Sequence, residues 1–161
     1  DSSLALNLAV HRLENKKYDL DFVREIIEQA AIVYDSKKSS ILELGGGVPK
    51  NTAQQTGPLL DQILRRNDGG QNYIIQITDA RPDTGGLSGA TLQEGKSWGK
   101  IQDSHEGIVT VYADATIVFP ILALYVLSNQ KSRKPKRLYK RIDEMYNKLS
   151  DDYFKNPTRV K

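Results

Sequence analysis

Apolar residues recur at helical spacing near the start of the chain, where Leu6, Val10 and Leu13 predict a helix over Ser3–Leu13. A second helix follows. Asp19 or Asp21 is its cap, and Phe22, Val23, Ile26, Ile27, Ala30, Ala31 and Tyr34 are its buried stripe. The pattern then shortens. Ser40–Leu44 is a compact apolar run that stops at Gly45-Gly46-Gly47, which reads as a strand ending in a glycine loop. Asn51–Arg66 predicts a helix broken near Gly57-Pro58, where proline suits a first turn. Asn72–Thr78 predicts a second strand, and a loop rich in Gly, Asp and Thr runs from Asp79 to Ala90. Leu92–Trp98 predicts a short helix, Ile108–Tyr112 a third strand, and Ala115–Asn129 a largely buried helix. The rest is expected to be helical to about Leu149 and then to fray.

Helices alternating with buried strands imply the α/β class, a Rossmann-like parallel sheet layered with helices. Right-handed crossovers place the loops that begin at Gly45, Asp79 and Ala113 on the carboxyl edge, where open α/β sheets bind ligands. Three strands make a thin sheet, so further strands are expected from another part of the protein or from a partner chain. The organisation expected is one α/β unit over 1–130 and a basic helical tail over 131–161.

The chain has 161 residues, 39% of them hydrophobic, enough for one core of useful size. The longest apolar stretch, Ala115–Leu127, is too short to span a bilayer and holds Pro120. Asp1–Leu8 lacks a basic start and a long apolar region, so no secretory leader is expected there. Cysteine is absent, which excludes disulfides and thiolate metal sites. A cytoplasmic protein without a membrane partner is expected. The net charge of +3 is concentrated between Lys131 and Arg141. Such a run reads as a nucleic-acid contact, or as a solvated helix face or subunit contact. No aromatic-interleaved basic surface or nucleic-acid motif accompanies it, so no nucleic-acid partner is expected.

Candidate chemistry lies in the loops. Glycines after a strand let backbone approach a ligand, and the amides of the next helix favour anions, so Gly45, Gly46 and Gly47 suit a pyrophosphate or simply a tight turn. The spacing is not the Rossmann fingerprint. Pro49 stands where a Walker loop has glycine. In the Asp79–Ala90 loop, Ser88 and the glycine amides suit a cofactor or ordinary turn chemistry. Glu94 and Trp98 share a helix face, and an acid beside an indole suits an organic cation. Lys100 follows at once. A lysine desolvated against an aromatic wall becomes a nucleophile for imines; in water it is an ordinary surface lysine. Asp114 either caps the next helix or accepts a ribose or amine hydrogen bond. His11 and His105 have no partners at ligand spacing, and no metal is expected.

These segments together resemble the deoxyhypusine synthase family. The matching stretches are Leu44-Gly45-Gly46-Gly47-Val48-Pro49-Lys50, Ile77-Thr78-Asp79-Ala80-Arg81-Pro82-Asp83, Leu87-Ser88-Gly89-Ala90, Ser97-Trp98-Gly99-Lys100-Ile101 and Val111-Tyr112-Ala113-Asp114-Ala115-Thr116 leading to Phe119-Pro120. They occur in family order and reach to about Asn129. The resemblance implies an NAD-dependent transferase that moves an aminobutyl group from spermidine or putrescine through a lysine imine to an acceptor amine. The product would be homospermidine or deoxyhypusine. It makes Lys100 the imine-forming lysine and places Glu94 and Trp98 along the polyamine channel. It places Thr78, Asp79, Ala80, Gly85, Ser88, Ala113 and Asp114 against NAD, with Gly45, Gly46 and Gly47 approaching it.

Two positions depart from the eukaryotic pattern. Asn51, a catalytic candidate with Lys100, stands in place of a histidine on the acceptor side, and Leu87 stands in place of an acidic residue facing the polyamine. Both look like the bacterial branch, whose members use putrescine as acceptor. Family chains are about twice this long and form homotetramers with shared sites. The resemblance thus implies that this chain is the carboxy-terminal half, a fragment, processed chain or half of a split protein, and that it needs identical or complementary subunits. The alternative is a catalytically inactive relative that completes a partner. A nucleotide-binding module using the Gly45 loop alone is a further reading.

Overall fold

A computed structural model describes residues 2–16, 20–66, 70–88, 91–101 and 107–156, with the backbone alone at 2–5. Helix α1 (Ser2–Leu13) forms where the spacing predicts it, yet Leu6, Val10 and Leu13 are all exposed. Helix α2 (Phe22–Tyr34) starts at Asp21, whose Oδ1 accepts the Arg24 N–H at 2.9 Å and satisfies one amide that the helix leaves open. The other candidate cap, Asp19, lies outside the described residues.

Three strands, β1 (Ser40–Leu44), β2 (Tyr73–Thr78) and β3 (Ile108–Tyr112), make a parallel sheet in the order β1-β2-β3. This is the α/β architecture the alternation predicts. In register, Leu42 lies beside Ile75 and Ile75 beside Val109. Successive side chains of a strand alternate between faces, so these three share one face. All three are exposed on it. The opposite face is covered. There Ile74 packs with Leu92 and Ile101, and Ile108 borders them.

Helix α3 (Gly47–Gln54) begins four residues before the predicted Asn51, because Gly46 already serves as its N-cap and Pro49 fits its first turn. After a short turn, α4 (Thr56–Pro58), the backbone widens into one π-helical turn over Leu59–Ile63, closed by Leu64 N–H donating to the Leu59 carbonyl at 2.8 Å. The predicted break at Gly57-Pro58 is thus a change of helical pitch. Helix α5 (Leu92–Ser97) and helix α6 (Ala115–Asn129) follow at the predicted places.

Two expectations fail on burial. None of the residues of α6 is buried, and Ile117, Ile121, Leu124 and Leu127 are each more than half exposed. A helix apolar on all sides needs a covering layer on all sides. The described residues cover little of it. In α2, Phe22, Val23 and Ile26 are likewise exposed, while Ala30, Ala31 and Val33 are buried.

The tail also differs from its prediction. Residues 131–137 form no helix, because Pro135 lacks an N–H and disfavours helical backbone at Lys134. Helix resumes as a 3-10 turn at Leu138–Arg141 and then as α7 (Ile142–Lys155), which runs beyond Leu149. Met145 and Leu149 of α7 pack with Ala30, Ala31 and Val33 of α2 and with Leu60 in one apolar cluster. The two alanines bring little bulk to that seam. Arg24–Asp143 at 2.9 Å and Lys148–Asp35 at 2.6 Å flank it, and exposed pairs of this kind add little. Leu149→Ala is therefore expected to lower the unfolding free energy by about 2–5 kcal/mol. Denaturant titration checks this, and an unchanged midpoint would mean that α7 is an appendage.

Candidate functional site

Three loops leave the carboxyl edge of the sheet, as the topology predicts. The first is tied to β2 by Gly45 N–H donating to the Ile77 carbonyl at 2.9 Å, the third by Ala113 N–H donating to the Thr78 carbonyl at 3.0 Å. Gly45 has a φ of +116°, which only glycine adopts without strain. A Cβ at Gly46 would lie 2.4 Å from the Gly86 carbonyl oxygen, and one at Gly47 would lie 2.1 Å from Ser88 Oγ. Gly47 N–H donates to the Gly86 carbonyl at 2.9 Å. The close approach that these glycines permit is thus taken up by the chain's own second loop.

Beside this contact lies a cavity of about 380 Å³. Lys50, Asn51 and Gln54 of α3, Ser88 of the second loop, and Thr91, Gly95, Trp98 and Lys100 around α5 line it, with Pro58 and Gln62. It therefore gathers Lys100, Trp98, Asn51 and Ser88 from separate parts of the sequence. Lys100 is half-buried, whereas Trp98 is 60% exposed, so the indole is an open wall among the described residues.

The backbone of Lys100 is held on every side. Its N–H donates to the Gly95 carbonyl at 3.0 Å, and its carbonyl accepts from Gln71 N–H at 3.0 Å. Gly99 turns with a φ of +67°. A Cβ at Gly57 would sit 2.6 Å from the Gly99 carbonyl oxygen, and one at Gly70 would sit 2.5 Å from the Lys100 carbonyl carbon. The π-helical turn supplies Gln62, whose Nε2 donates to the Trp98 carbonyl at 2.9 Å.

Behind the cavity is a buried polar layer. Lys50 is 1% exposed, and its Nζ donates to the Leu87 carbonyl at 2.6 Å. Burial and, after it, the nearby Lys100 push the Lys50 ammonium pKa down. Glu43 of β1 is buried as well. Its Oε1 accepts from Gln54 Nε2 at 2.7 Å, and burial pushes its carboxyl pKa up against that bond and the two lysines. Asn51 Nδ2 donates to Ser88 Oγ at 2.9 Å. Ser88 itself has a φ of +57°. Leu87 is buried.

Other expected residues lie apart from this cavity. Glu94 does not line it. Its carboxylate accepts Thr91 N–H at 2.8 Å, and Thr91 Oγ1 accepts Glu94 N–H at 3.4 Å, a reciprocal capping box that starts α5. Thr78 ends β2, and Asp79, Ala80, Gly85, Ala113 and Asp114 belong to the second and third loops. The same loops, through Arg81, Pro82, Asp83 and Tyr112, wall a second cavity of about 280 Å³. Asp114 is a helix cap. Its Oδ1 accepts Thr116 N–H at 2.7 Å and Thr116 Oγ1–H at 2.6 Å, and these bonds hold its carboxyl below the usual range. His11 is exposed on α1 beside Glu14 and Lys16, and His105, Gly89 and Ala90 lie outside the described residues.

Sequence reasoning missed Glu43, Gln54 and Lys50 as site residues. One signal was available: a glutamate inside the apolar strand Ser40–Leu44, followed by Lys50 and Gln54 four apart on one helix face.

Comparison with known proteins bears on this arrangement. The family model described as deoxyhypusine synthase matches residues 1–126. A deoxyhypusine synthase-like protein of Nostoc sp. is 44% identical over 158 residues, covering 95% of this chain and 41% of that protein. One from Nostoc punctiforme is 42% identical over 164 residues, covering 99% of this chain and 42% of the relative. A probable deoxyhypusine synthase 2 of Methanosarcina acetivorans is 42% identical over 123 residues, 76% of this chain and 35% of that protein. The chain thus spans about two fifths of the length of these two Nostoc relatives.

The packing around Lys100 sets a conflict of known sign. In a helix, glycine to alanine ordinarily stabilises by about 1 kcal/mol. At Gly57 the new methyl meets the Gly99 carbonyl at 2.6 Å and the Lys100 Cα at 3.1 Å, backbone that cannot swing aside. Overpacking of this kind costs about 1–3 kcal/mol. Gly57→Ala is expected to lower the melting temperature, and a raised one would show that the clamp is loose.

Proposed function

The chain belongs to the deoxyhypusine synthase family, and on that premise we propose that it carries the lysine side of an aminobutyl transfer site, with the cavity around Lys100 as the place of reaction. The observation that supports this most is the meeting of Lys100, Trp98 and Asn51 in one cavity, with the Lys100 backbone clamped by glycines. A clamped backbone leaves the amine only its own side-chain torsions to search, which favours repeated attack on one carbon.

In this reading the Lys100 amine adds to the imine carbon of an oxidised donor polyamine. The bond from that carbon to the departing nitrogen breaks, and the two protons lost by the Lys100 amine go to the leaving amine. The four-carbon unit is then held as an imine at Lys100 Nζ until an acceptor amine displaces it. NAD is the cofactor the family implies, and when bound it would supply hydride acceptance and return. The residues present suit a nucleotide at the second and third loops. There Tyr112 is an exposed ring fit to stack on a base, Arg81 is a cation fit to meet a phosphate, and a Cβ at Gly85 would meet nothing within 4 Å. They suit it less at Gly46 and Gly47, whose cradle Gly86 and Ser88 fill. Thr78, Asp79, Ala80, Ala113 and Asp114 are the remaining NAD-side residues of the proposal.

The rest of the site would come from other chain. Imines hydrolyse, and an indole 60% exposed does not exclude water by itself. Nor does Glu94, engaged in its capping box, stand in the cavity wall to balance a polyamine dication. We therefore read identical or complementary subunits, in a tetramer with shared sites, as the source of the missing wall and carboxylates. The exposed apolar face of the sheet and helix α6 are the surfaces such chain would cover. No helix among the described residues is long and apolar enough to cross a membrane, and the reading places the protein in the cytoplasm.

Putrescine, giving homospermidine, is the acceptor we favour over a protein lysine. Asn51 is an amide held to Ser88, so it offers no ionisable acceptor-side group, and Leu87 is buried rather than facing a substrate. The reading of a silent relative is not favoured by a cavity that keeps both Lys100 and Trp98 in its wall.

The complete protein, given spermidine and NAD and then borohydride, is expected to carry an aminobutyl group on Lys100 by peptide mass mapping. Lys100→Ala should carry none; an adduct persisting in that variant sinks the assignment. Offered putrescine and a protein lysine acceptor in turn, the enzyme is expected to yield homospermidine only, as chromatography of the products would reveal.

A further inference from the structure

The π-helical turn Leu59–Ile63 is gripped from two sides. Toward the cavity, Gln62 Nε2 donates to the Trp98 carbonyl at 2.9 Å. Away from it, Leu60 is fully buried in the apolar cluster with Met145 and Leu149 of α7. The turn therefore lies between α7 and the wall that carries Trp98 and Lys100.

A single π-helical turn is uncommon backbone and is found mostly at functional places. This one runs into Arg65, which has a φ of +52° without being glycine. The next residue closes it, since Arg66 N–H donates to the Leu60 carbonyl at 2.7 Å. A wide turn followed by a left-handed arginine costs conformational energy, so its surroundings must hold it.

The Arg66 side chain provides that hold. It is 8% exposed, and its Nε lies 2.7 Å from Asp152 Oδ2 as an ion pair. Its Nη2 donates to the carbonyls of Asp152 at 3.2 Å and Asn156 at 3.0 Å, and the guanidinium lies 5.9 Å from the centre of the Tyr153 ring. The last carbonyls of a helix lack partners within it and form the negative end of its dipole, so a guanidinium there is held by shape and charge together. Arg66 does not line the Lys100 cavity. Helix α7 lies beyond residues 1–126, the part that matches the family model.

We infer that Arg66 is a positioning residue for the Trp98–Lys100 wall: by seating the end of α7 it holds the π-helical turn from behind, and the turn holds the Trp98 main chain through Gln62. It touches no substrate. That the wall serves imine formation rests on the proposed function; that Arg66 holds the wall in place does not.

The test uses the complete protein labelled with fluorotryptophan, in which the fluorine resonance of Trp98 is the one lost in Trp98→Phe. Arg66→Gln is expected to shift or broaden that resonance well below its melting temperature. Formation of the borohydride-trapped adduct on Lys100 should slow about tenfold at saturating spermidine and NAD. The half-saturating spermidine concentration should stay within about twofold of that of the unaltered protein. Arg66→Lys keeps the charge without the fork and should lie between the two. Gln62→Leu cuts the same path on the cavity side. The rate loss of the double variant with Arg66→Gln should therefore be smaller than the product of the two single losses.

A lowered melting temperature with an unmoved resonance and an unchanged adduct rate overturns the inference, because Arg66 then serves the fold alone. Losses that multiply in the double variant also overturn it, since the two residues then act separately. Should Arg66→Gln not fold, Asp152→Asn weakens the same link from the α7 side, and an unmoved resonance there overturns the inference. Absence of adduct in the unaltered protein overturns the proposed function, and the fluorine resonance still decides for or against the brace.

Discussion

Backbone packed on backbone around Lys100 is the constraint that most of the candidate site depends on. Gly57 and Gly70 come so close to Gly99 and Lys100 that neither could carry a side chain, and hydrogen bonds from Gln71 N–H and to the Gly95 carbonyl fix the same segment. This contact joins α4, the entry to β2 and the exit of α5, three elements far apart in sequence. The π-helical turn belongs to it too, since it carries Gln62 to the Trp98 carbonyl. A lysine on a loose loop would sample many positions. Here its Cα is fixed by a close fit of main chain, and the energetic cost is the conformational freedom of several glycines in the unfolded state.

Much of the fold was legible because short apolar runs bounded by glycine and polar turns have few alternatives. Ser40–Leu44 and Ile108–Tyr112 are strands at the predicted residues, and the three loops meet at the predicted edge. What periodicity does not reveal is which apolar surface finds a cover. Helix α6 has the composition of a buried helix, yet Ile121 and Leu124 are each about two thirds exposed. The outer half of α2 and the face bearing Leu42, Ile75 and Val109 share that fate. Burial depends on partners, and a hydrophobic pattern records the need for a partner without naming it. The relatives, of which this chain spans about two fifths, have more chain with which to meet that need.

The candidate site was legible in a different measure. Lys100, Trp98, Asn51 and Ser88, from separate stretches of sequence, line one cavity. In the sequence Asp114 is ambiguous between ligand and cap and Glu94 reads only as a ligand, whereas both serve in caps here. Thr91-Leu92-Gln93-Glu94 has the form of a capping box, a local rule that outweighs the guess from its distance to Trp98. The glycine triplet suits either an anion cradle or a tight turn. Its neighbour is the chain's own second loop, a long-range contact that no local pattern contains.

The polar layer behind the cavity shows why a motif is an incomplete account of a site. Lys50 lies inside the Gly-Gly-Gly-Val-Pro-Lys stretch, but its role depends on what surrounds it. It is buried, gives one hydrogen bond to the Leu87 carbonyl, and shares its surroundings with Lys100 and Glu43. A fully buried ammonium is costly unless hydrogen-bonded and balanced by opposite charge. The Leu87 carbonyl supplies the first condition, and Glu43 is an acid buried nearby. The second loop is closely tied to α3. Lys50 bonds to Leu87, Asn51 to Ser88, and Gly47 to Gly86, so three successive residues of the loop are each held by the first five residues of one helix. Any ligand entering beside Lys100 therefore meets a wall whose shape is set by main-chain and amide bonds, with buried Lys50 in its lining and Glu43 behind it.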